Sequence, residues 1–343
     1  MTDRKRFLQR AGAGAAGLSL AQLFDPAGAI AGGGGAFPDH PNWRFVFVSH
    51  NTVNPLFVAT QFGAQDAASL VKCSVTWTGS ARGDVQETVK ALRAAIAGKA
   101  DGIAVSVLEG PAFAAQADAA HRAGIPLVAF NVDALSGGKR LAYIGEGPRI
   151  SGARVGAEIA RLVPANDVLL LAPRSDHPWT EQRLEGVIAG LARVPKAPPV
   201  TVVRLEGDIR KQAEMIESSV ERRPRVRGLV AVDGTATAAA GTVIRRRGLR
   251  AKGFHGGGYD LLPGDLALVA DGQLDFVVDQ QPYVQGFAPV LQLFLTKISE
   301  GTIVPWDTET SVLLRQADVK TFLATKSRFE GSSSRHAYPL RRV

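Results

Sequence analysis

From Asn42 onward, short β-branched apolar runs alternate with longer stretches of helical periodicity, and this alternation runs through the chain twice. Consecutive strands separated by a helix-length segment pair in parallel through a crossover, so the order of elements dictates parallel sheets. The runs are apolar at successive positions, as in strands covered by helices on both faces. The first pass gives strands at 44–49, 74–78, 102–107 and 126–130, with helices at 55–69, 84–97 and 111–123 and Gly124 as a helix stop. The pattern then restarts, with strands at 141–145, 168–172, 200–205, 228–232, 252–254 and 274–278. Helices are expected there at 150–162, 180–192, 211–221 and 236–247, followed by a long one at 282–300 and an extended return at 304–314. The fold class is therefore α/β: two doubly wound parallel-sheet lobes with a cleft between them.

Length agrees, since 343 residues make about two domains. The single cysteine, Cys73, excludes a disulfide framework within the chain and any cysteine-based zinc site, and it reads as an inert small hydrophobe beside the second strand. No run reaches the roughly 18 apolar residues of a membrane-spanning helix. The net charge of +8 would permit nucleic-acid binding. Its basic clusters, at 222–227, 245–247 and 341–342, are short and carry no interleaved aromatics, so they read as solvated helix ends and a basic, disordered tail at 327–343. No nucleic-acid partner is expected.

Residues 1–31 read as an export signal. Arg4, Lys5, Arg6 and Arg10 precede a Gly/Ala/Leu run, and Ala27-Gly28-Ala29 and Ala29-Ile30-Ala31 offer small-residue cleavage patterns. The stretch Asp3 to Gln9 resembles a twin-arginine signal with Lys5 in place of the second arginine, which predicts a mature protein free in a periplasm. Gly12, Gly14 and Gly17 mimic a dinucleotide-binding fingerprint inside this segment, but no strand precedes them and no βαβ unit surrounds them, so no nucleotide cofactor is expected. Gly32 to Gly35 form a flexible linker.

Ligands of open parallel sheets bind beyond the carboxyl ends of the strands. Asn54, Leu56 and Phe57 follow the first strand, and Asn131 and Asp133 the fourth. In the second lobe His177, Trp179 and Arg183 follow 168–172, Asp233 follows 228–232, Asp260 follows 252–254, and Asp279 and Gln280 end 274–278. Each residue alone could be a helix cap or a turn former. Together they suit a neutral polyhydroxylated ligand: Asp and Asn oxygens accept from hydroxyls, the Arg183 fork donates, and Phe57 and Trp179 offer flat apolar faces. The acids Asp133, Asp233 and Asp260 outnumber Arg183, so an anionic ligand would meet repulsion, and Arg183 is the partner that would keep buried acids charged. Catalytic patterns are lacking. The six histidines show no metal-ligand spacing, and His255-Gly256-Gly257-Gly258 mimics an oxyanion loop without a G-x-S-x-G elbow.

Residues 42–325 resemble the type I periplasmic sugar-binding proteins, the ribose- and galactose-binding family serving ABC importers. Val53-Asn54-Pro55-Leu56-Phe57 is similar to the family's Asn-Pro-aromatic-aromatic turn, with Leu56 replacing an aromatic. Ala129-Phe130-Asn131-Val132-Asp133 matches its strand ending in Asp or Asn, with Val132 where ribose binders place Arg. The segment from His177 to Arg183 resembles the galactose-binder loop and helix start, with Trp179 replacing an acid. Asp233 and Gly258-Tyr259-Asp260 fall at family sugar contacts, and the segment from Asp279 to Gly286 looks like the one that recrosses the hinge.

The resemblance implies ligand contacts at Asn54, Phe57, Asn131, Asp133, His177, Trp179, Arg183, Asp233, Asp260 and Gln280, while Asp279 and Gln281 serve the hinge. It implies a monomer that closes on a neutral monosaccharide or polyol and presents it to an inner-membrane permease, without metal or cofactor. The expected lobes are 42–146 plus 282–302, and 147–281 plus 303–326, with crossings near Gly145, near Gln280 and shortly after Glu300. Two other readings share the scaffold: presentation of the ligand to a chemoreceptor or signal importer, and a periplasmic sugar-acting enzyme. A lactose-repressor-type regulator would carry a helix-turn-helix where this chain carries its signal.

Overall fold

Strand order follows from the buried, β-branched runs. In β1 (Arg44–Ser49) Phe45 and Phe47 face one side of a sheet while Val46 and Val48 face the other, and each pair joins a separate apolar cluster. The computed structural model describes residues 37–135, 139–174, 178–261 and 264–319; the expected signal and the basic tail lie outside them. The first half runs β1, α1 (Leu56–Leu70), β2 (Ser74–Gly79), α2 (Val85–Ala97), β3 (Gly102–Val107), α3 (Gly110–Arg122), β4 (Leu127–Asp133) and β5 (Tyr143–Gly145). The second runs α4 (Pro148–Leu162), β6 (Asp167–Pro173), α5 (Pro178–Leu191), β7 (Val200–Leu205), α6 (Ile209–Glu221), β8 (Val226–Ala231), α7 (Gly234–Arg246), β9 (His255–Tyr259), α8 (Asp265–Ala270) and β10 (Phe276–Asp279). The chain then passes through α9 (Pro282–Ile298), β11 (Thr308–Glu309) and β12 (Val312–Arg315).

Two six-stranded sheets result, ordered β11-β5-β4-β3-β1-β2 and β12-β10-β9-β8-β6-β7. All pairings are parallel except that of β10 with β12. Each sheet is doubly wound, with its order reversing next to its first strand, and that reversal opens a crevice at the strands' carboxyl ends. The α/β architecture of two parallel-sheet lobes joined by three crossings is thus present. Helices cover both faces of both sheets, and four apolar clusters fill the interfaces.

Two differences from the sequence expectation have physical causes. The strand expected at 252–254 is instead β9, His255–Tyr259, and Leu249–Lys252 is a short 3-10 helix. His-Gly-Gly-Gly-Tyr reads as a loop, yet its glycines are required by packing. A Cβ on Gly257 would meet the Phe276 ring at 2.4 Å, and one on Gly258 would meet Thr237 Oγ1 at 2.0 Å. The third crossing also comes later than 302–303. Thr308 and Glu309 pair with Ile144 and Gly145 on the edge of the first sheet, so the chain changes lobe between β11 and β12.

Helix α4 lies against α5 through matched glycines. A Cβ on Gly152 or Gly156 would meet the main chain of Arg183 or Val187 at 2.4 and 2.3 Å, and one on Gly186 or Gly190 would meet Arg149 or Ala153 at 2.5 and 2.3 Å. That close approach fixes the base of Arg183 relative to the first crossing. The third crossing is anchored to the same helix, because Arg315 donates to both oxygens of Glu158 at 3.0 and 2.9 Å and Arg161 adds bonds at 3.2 and 2.6 Å. Burial alone would raise the Glu158 carboxyl, but these guanidinium bonds outweigh it and bring its pKa down to about 2. A depressed carboxyl stabilises the fold above its unfolded pKa, and that contribution is lost as pH falls toward 2. Glu158→Gln should therefore cost about 1–3 kcal/mol at neutral pH. Melting curves should show the gap from wild type narrowing as pH is lowered from about 4.5, and a gap independent of pH would refute the assignment.

Candidate functional site

The carboxyl ends of both sheets open into one cleft of about 740 Å³. Its first-lobe wall carries His50, Asn54 and Leu56 after β1, Leu108 after β3, and Asn131, Val132 and Asp133 at the end of β4. Its second-lobe wall carries Pro178, Trp179 and Arg183 from α5, Asp233 after β8 and Asp260 after β9. Glu146 and Gln280, at the first and second crossings, form the floor with Tyr143.

Asn131 and Asp260 occupy equivalent places, each beside the end of the fourth strand of its lobe, and both adopt left-handed backbone with φ of 62° and 69°. Asn and Asp tolerate that region better than other non-glycine residues, and side chains held there are over-determined by their surroundings. Asn131 Nδ2 donates to Gln285 Oε1 at 3.0 Å. Gln280 Nε2 donates to Asp260 Oδ1, and Asp260 also accepts from the Gly234 main chain. Asp233 caps α7 by accepting from Ala236 N at 3.1 Å. Asn54 Oδ1 accepts from Leu56 N at 3.0 Å as α1 begins.

Arg183 is almost fully buried, and its fork is already engaged. Nε and Nη2 donate to the two oxygens of Glu146, Nη1 donates to the Val232 main chain at 2.7 Å, and the guanidinium lies 4.1 Å from the centre of the Tyr259 ring. Ser151 Oγ bonds both Glu146 and the Tyr259 hydroxyl, closing a buried quartet. Asp133 is ion-paired with Arg140 and accepts from Leu135 N at 3.1 Å. Among the described residues lining the cleft, the other cation is Arg149, which pairs with Glu185 at the exposed rim. Burial pushes the carboxyls of Asp133, Asp233 and Asp260 above the usual range, more than Arg140 or Arg183 lowers them.

Of the nominated residues, Asn54, Asn131, Asp133, Trp179, Arg183, Asp233, Asp260 and Gln280 line this one cleft. His177 lies outside the described residues. Phe57 is displaced: it is 0% exposed and packs against Trp77 and Phe130 in the first-lobe core, its ring edge-on to His50 at 5.4 Å. Its place on the cleft wall is taken by Leu56, because Phe57 on the first turn of α1 points toward the sheet. Asp279 and Gln281 do not line the cleft. Asp279 Oδ1 accepts from Gln281 N at 2.8 Å, which supports the left-handed turn (φ 52°) that leads into α9.

Sequence reasoning missed Glu146, His50 and Tyr143. Glu146 and His50 follow strands directly, so the strand-end rule that found the others would have found both. Tyr143 lies inside β5, and its hydroxyl is 2.8 Å from the main-chain oxygens of both Asn131 and Glu146.

Residues 45–295 match the family model described as a periplasmic binding protein domain. The chain is 36% identical over 315 residues to the xylose/arabinose-binding protein XylF of Sulfolobus acidocaldarius, an alignment covering 88% of this chain and 77% of that one. Among solved structures it is similar to a sugar ABC transporter sugar-binding protein from Bacillus halodurans, with a TM-score of 0.75 at 21% identity over 81% of this chain and 99% of that one. It is similar also to the arabinose-binding protein AraP of Geobacillus stearothermophilus, with a TM-score of 0.70 at 23% identity over 82% of this chain and 99% of that one. Matched over most of its length by the family model and by a relative of this identity, the chain belongs to the periplasmic binding protein family.

Proposed function

We propose that this protein captures a neutral monosaccharide or polyol between its lobes by hinge closure, and delivers it outside the cytoplasm to the permease of an ABC importer. The observation that carries this reading is the balance of the cleft. Its buried cation, Arg183, is matched to Glu146, whereas Asp233 and Asp260 form no ion pair among the described residues and accept only a few protein hydrogen bonds there. A ligand rich in hydroxyl donors supplies what those oxygens lack. A carboxylate or phosphate would meet uncompensated negative charge in a site of low dielectric. The likeness to a xylose/arabinose-binding protein supports placing pentoses first among the candidates. The two walls come from different lobes, so closing them round a ligand completes the contacts, and that is the physical basis for rigid-body closure about the three crossings. The residues proposed to touch the ligand are Asn54, Asn131, Asp133, Trp179, Asp233, Asp260 and Gln280. Arg183 contributes its remaining N–H groups from behind Glu146. The protein acts as a monomer and as a carrier, with no reaction at the site.

A thermal-shift screen of the protein beginning near Gly32 tests the reading with D-xylose, L-arabinose, hexoses, myo-inositol, linear polyols and sugar acids, each at about 1 mM. A neutral compound with a micromolar dissociation constant should add roughly 4 kcal/mol at that excess, enough to raise the melting temperature by several degrees. Hits confined to anions would overturn the proposal. Asp260→Asn keeps an acceptor for Gln280 but exchanges one carboxylate oxygen for a donor, and should weaken calorimetric binding of the hit by about tenfold or more.

Affinity should also depend on pH. Because burial raises Asp133, Asp233 and Asp260, they take up protons above the ordinary carboxyl value of about 4 and lose acceptor capacity there. Binding measured at falling pH should therefore weaken before that value is reached. Affinity unchanged down to pH 4 would show that these carboxylates do not carry the ligand.

A further inference from the structure

Behind the cleft floor, where the second and third crossings meet the first lobe, sits Gln285, 0% exposed on the first turn of α9. Its amide makes bonds to three chain segments. Nε2 donates to the Gln280 main-chain oxygen at 2.8 Å and to Thr310 Oγ1 at 3.2 Å, and Oε1 accepts from Asn131 Nδ2 at 3.0 Å. Thr310 Oγ1 in turn donates to the same Gln280 oxygen at 2.7 Å.

The sense of these bonds is fixed, because a main-chain carbonyl can only accept. Gln280 O must therefore face the Gln285 nitrogen, which turns the Gln285 oxygen toward Asn131. Asn131 must then answer with its nitrogen, and its oxygen is left as the atom it presents to the cleft. The buried amide thus decides whether a ligand-facing group is a donor or an acceptor. A hydrogen-bonding site discriminates far more sharply between ligands than apolar contact does, because mismatched polar atoms are left unpaired.

We propose that Gln285 is a positioning residue of the ligand site: it holds Asn131 with Oδ1 toward the cleft and ties that orientation to the second and third crossings. This rests on the proposed capture of a neutral sugar or polyol at the same cleft. Ligand contact at Asn131 in the first lobe then bears on Gln280, whose own side chain reaches Asp260 in the second. One continuous run of hydrogen bonds, Asn131 to Gln285 to Gln280 to Asp260, joins the walls through the hinge.

The test is a double-mutant cycle read by calorimetry with D-xylose, L-arabinose and myo-inositol, on wild type, Gln285→Met, Asn131→Ala and the double variant. Gln285→Met keeps the volume and removes the amide, and should weaken binding about tenfold. On the Asn131→Ala background the same change should cost less than about twofold, since the group it positions is gone. A loss of equal size on both backgrounds would overturn the proposal, as would binding by Gln285→Met indistinguishable from wild type. A purely structural role would lower the melting temperature of both backgrounds alike and give additive binding losses.

Side-chain amide exchange in wild type, read by NMR without any sugar, supplies a second measurement. The Asn131 and Gln285 amide protons should exchange slowly, and exchange at the rate of an unfolded chain would overturn the proposal even if the variants fail to fold. Failure of wild type to bind any of the three compounds would count against the sugar-capture reading, and the amide exchange would then decide the role of Gln285 on its own.

Discussion

The ion pair between Glu146 and Arg183 is the interaction on which the rest of the site depends. Taking two charges out of water costs several kcal/mol for each, and mutual attraction repays that only when the remaining donors and acceptors are also satisfied. Here they are: Ser151, the Val232 main chain and the face of Tyr259 complete the set. Glu146 ends the first crossing, whereas Arg183 belongs to a helix of the second lobe, so the pair fastens the hinge to one of the two bodies it joins. It also engages the buried positive charge of the cleft, that of Arg183. The same contact that organises the hinge therefore leaves a surface on which carboxylate and amide oxygens predominate.

Motion and rigidity divide along lines the packing makes plain. Within the second lobe, α4 and α5 meet backbone to backbone through their glycines, and in the first lobe a Cβ on Gly286 of α9 would meet the Thr60 carbonyl of α1 at 1.8 Å. Interfaces so close resist sliding, because any displacement brings main-chain atoms into contact. The crossings are short by comparison, and they are held by a few directional bonds: Thr310 N to Gly145 O at 3.0 Å, the Thr310 hydroxyl to Gln280 O, and the Gln285 amide. In the proposed closure, the change in dihedral angles would be concentrated in those three segments.

The architecture was legible because parallel strands buried on both faces leave a strong local signature; β1 and β3 begin and end where their apolar runs do. Legibility failed where a local rule was overridden from a distance. In β9 the glycines answer to Phe276 and Thr237 on neighbouring elements, a demand that no window of sequence contains. The two residues of β11 pair with only two partners, too few to leave a periodicity. Phe57 was misplaced for a related reason: a flat side chain next to a binding turn serves either the ligand or the core, and only the position of Trp77 and Phe130 decides which. Glu146 was within reach of the strand-end rule, but Gly145 read as a lobe boundary and masked the residue after it.

What no sequence pattern could supply is the sense of the amides. Asn131 and Gln280 are identifiable as polar groups at strand ends, yet each can face a ligand with an oxygen or a nitrogen, and the two choices recognise opposite partners. The choice is made by atoms behind the cleft that the ligand never touches: a main-chain carbonyl at Gln280 sets Gln285, and Gln285 sets Asn131, while Asp260 sets the side chain of Gln280. Both amides are thereby turned to add acceptors to a wall that already carries carboxylates. A ligand then gains most by donating many hydrogen bonds while bringing no charge, and a small polyhydroxylated ring or chain is the simplest molecule that does so.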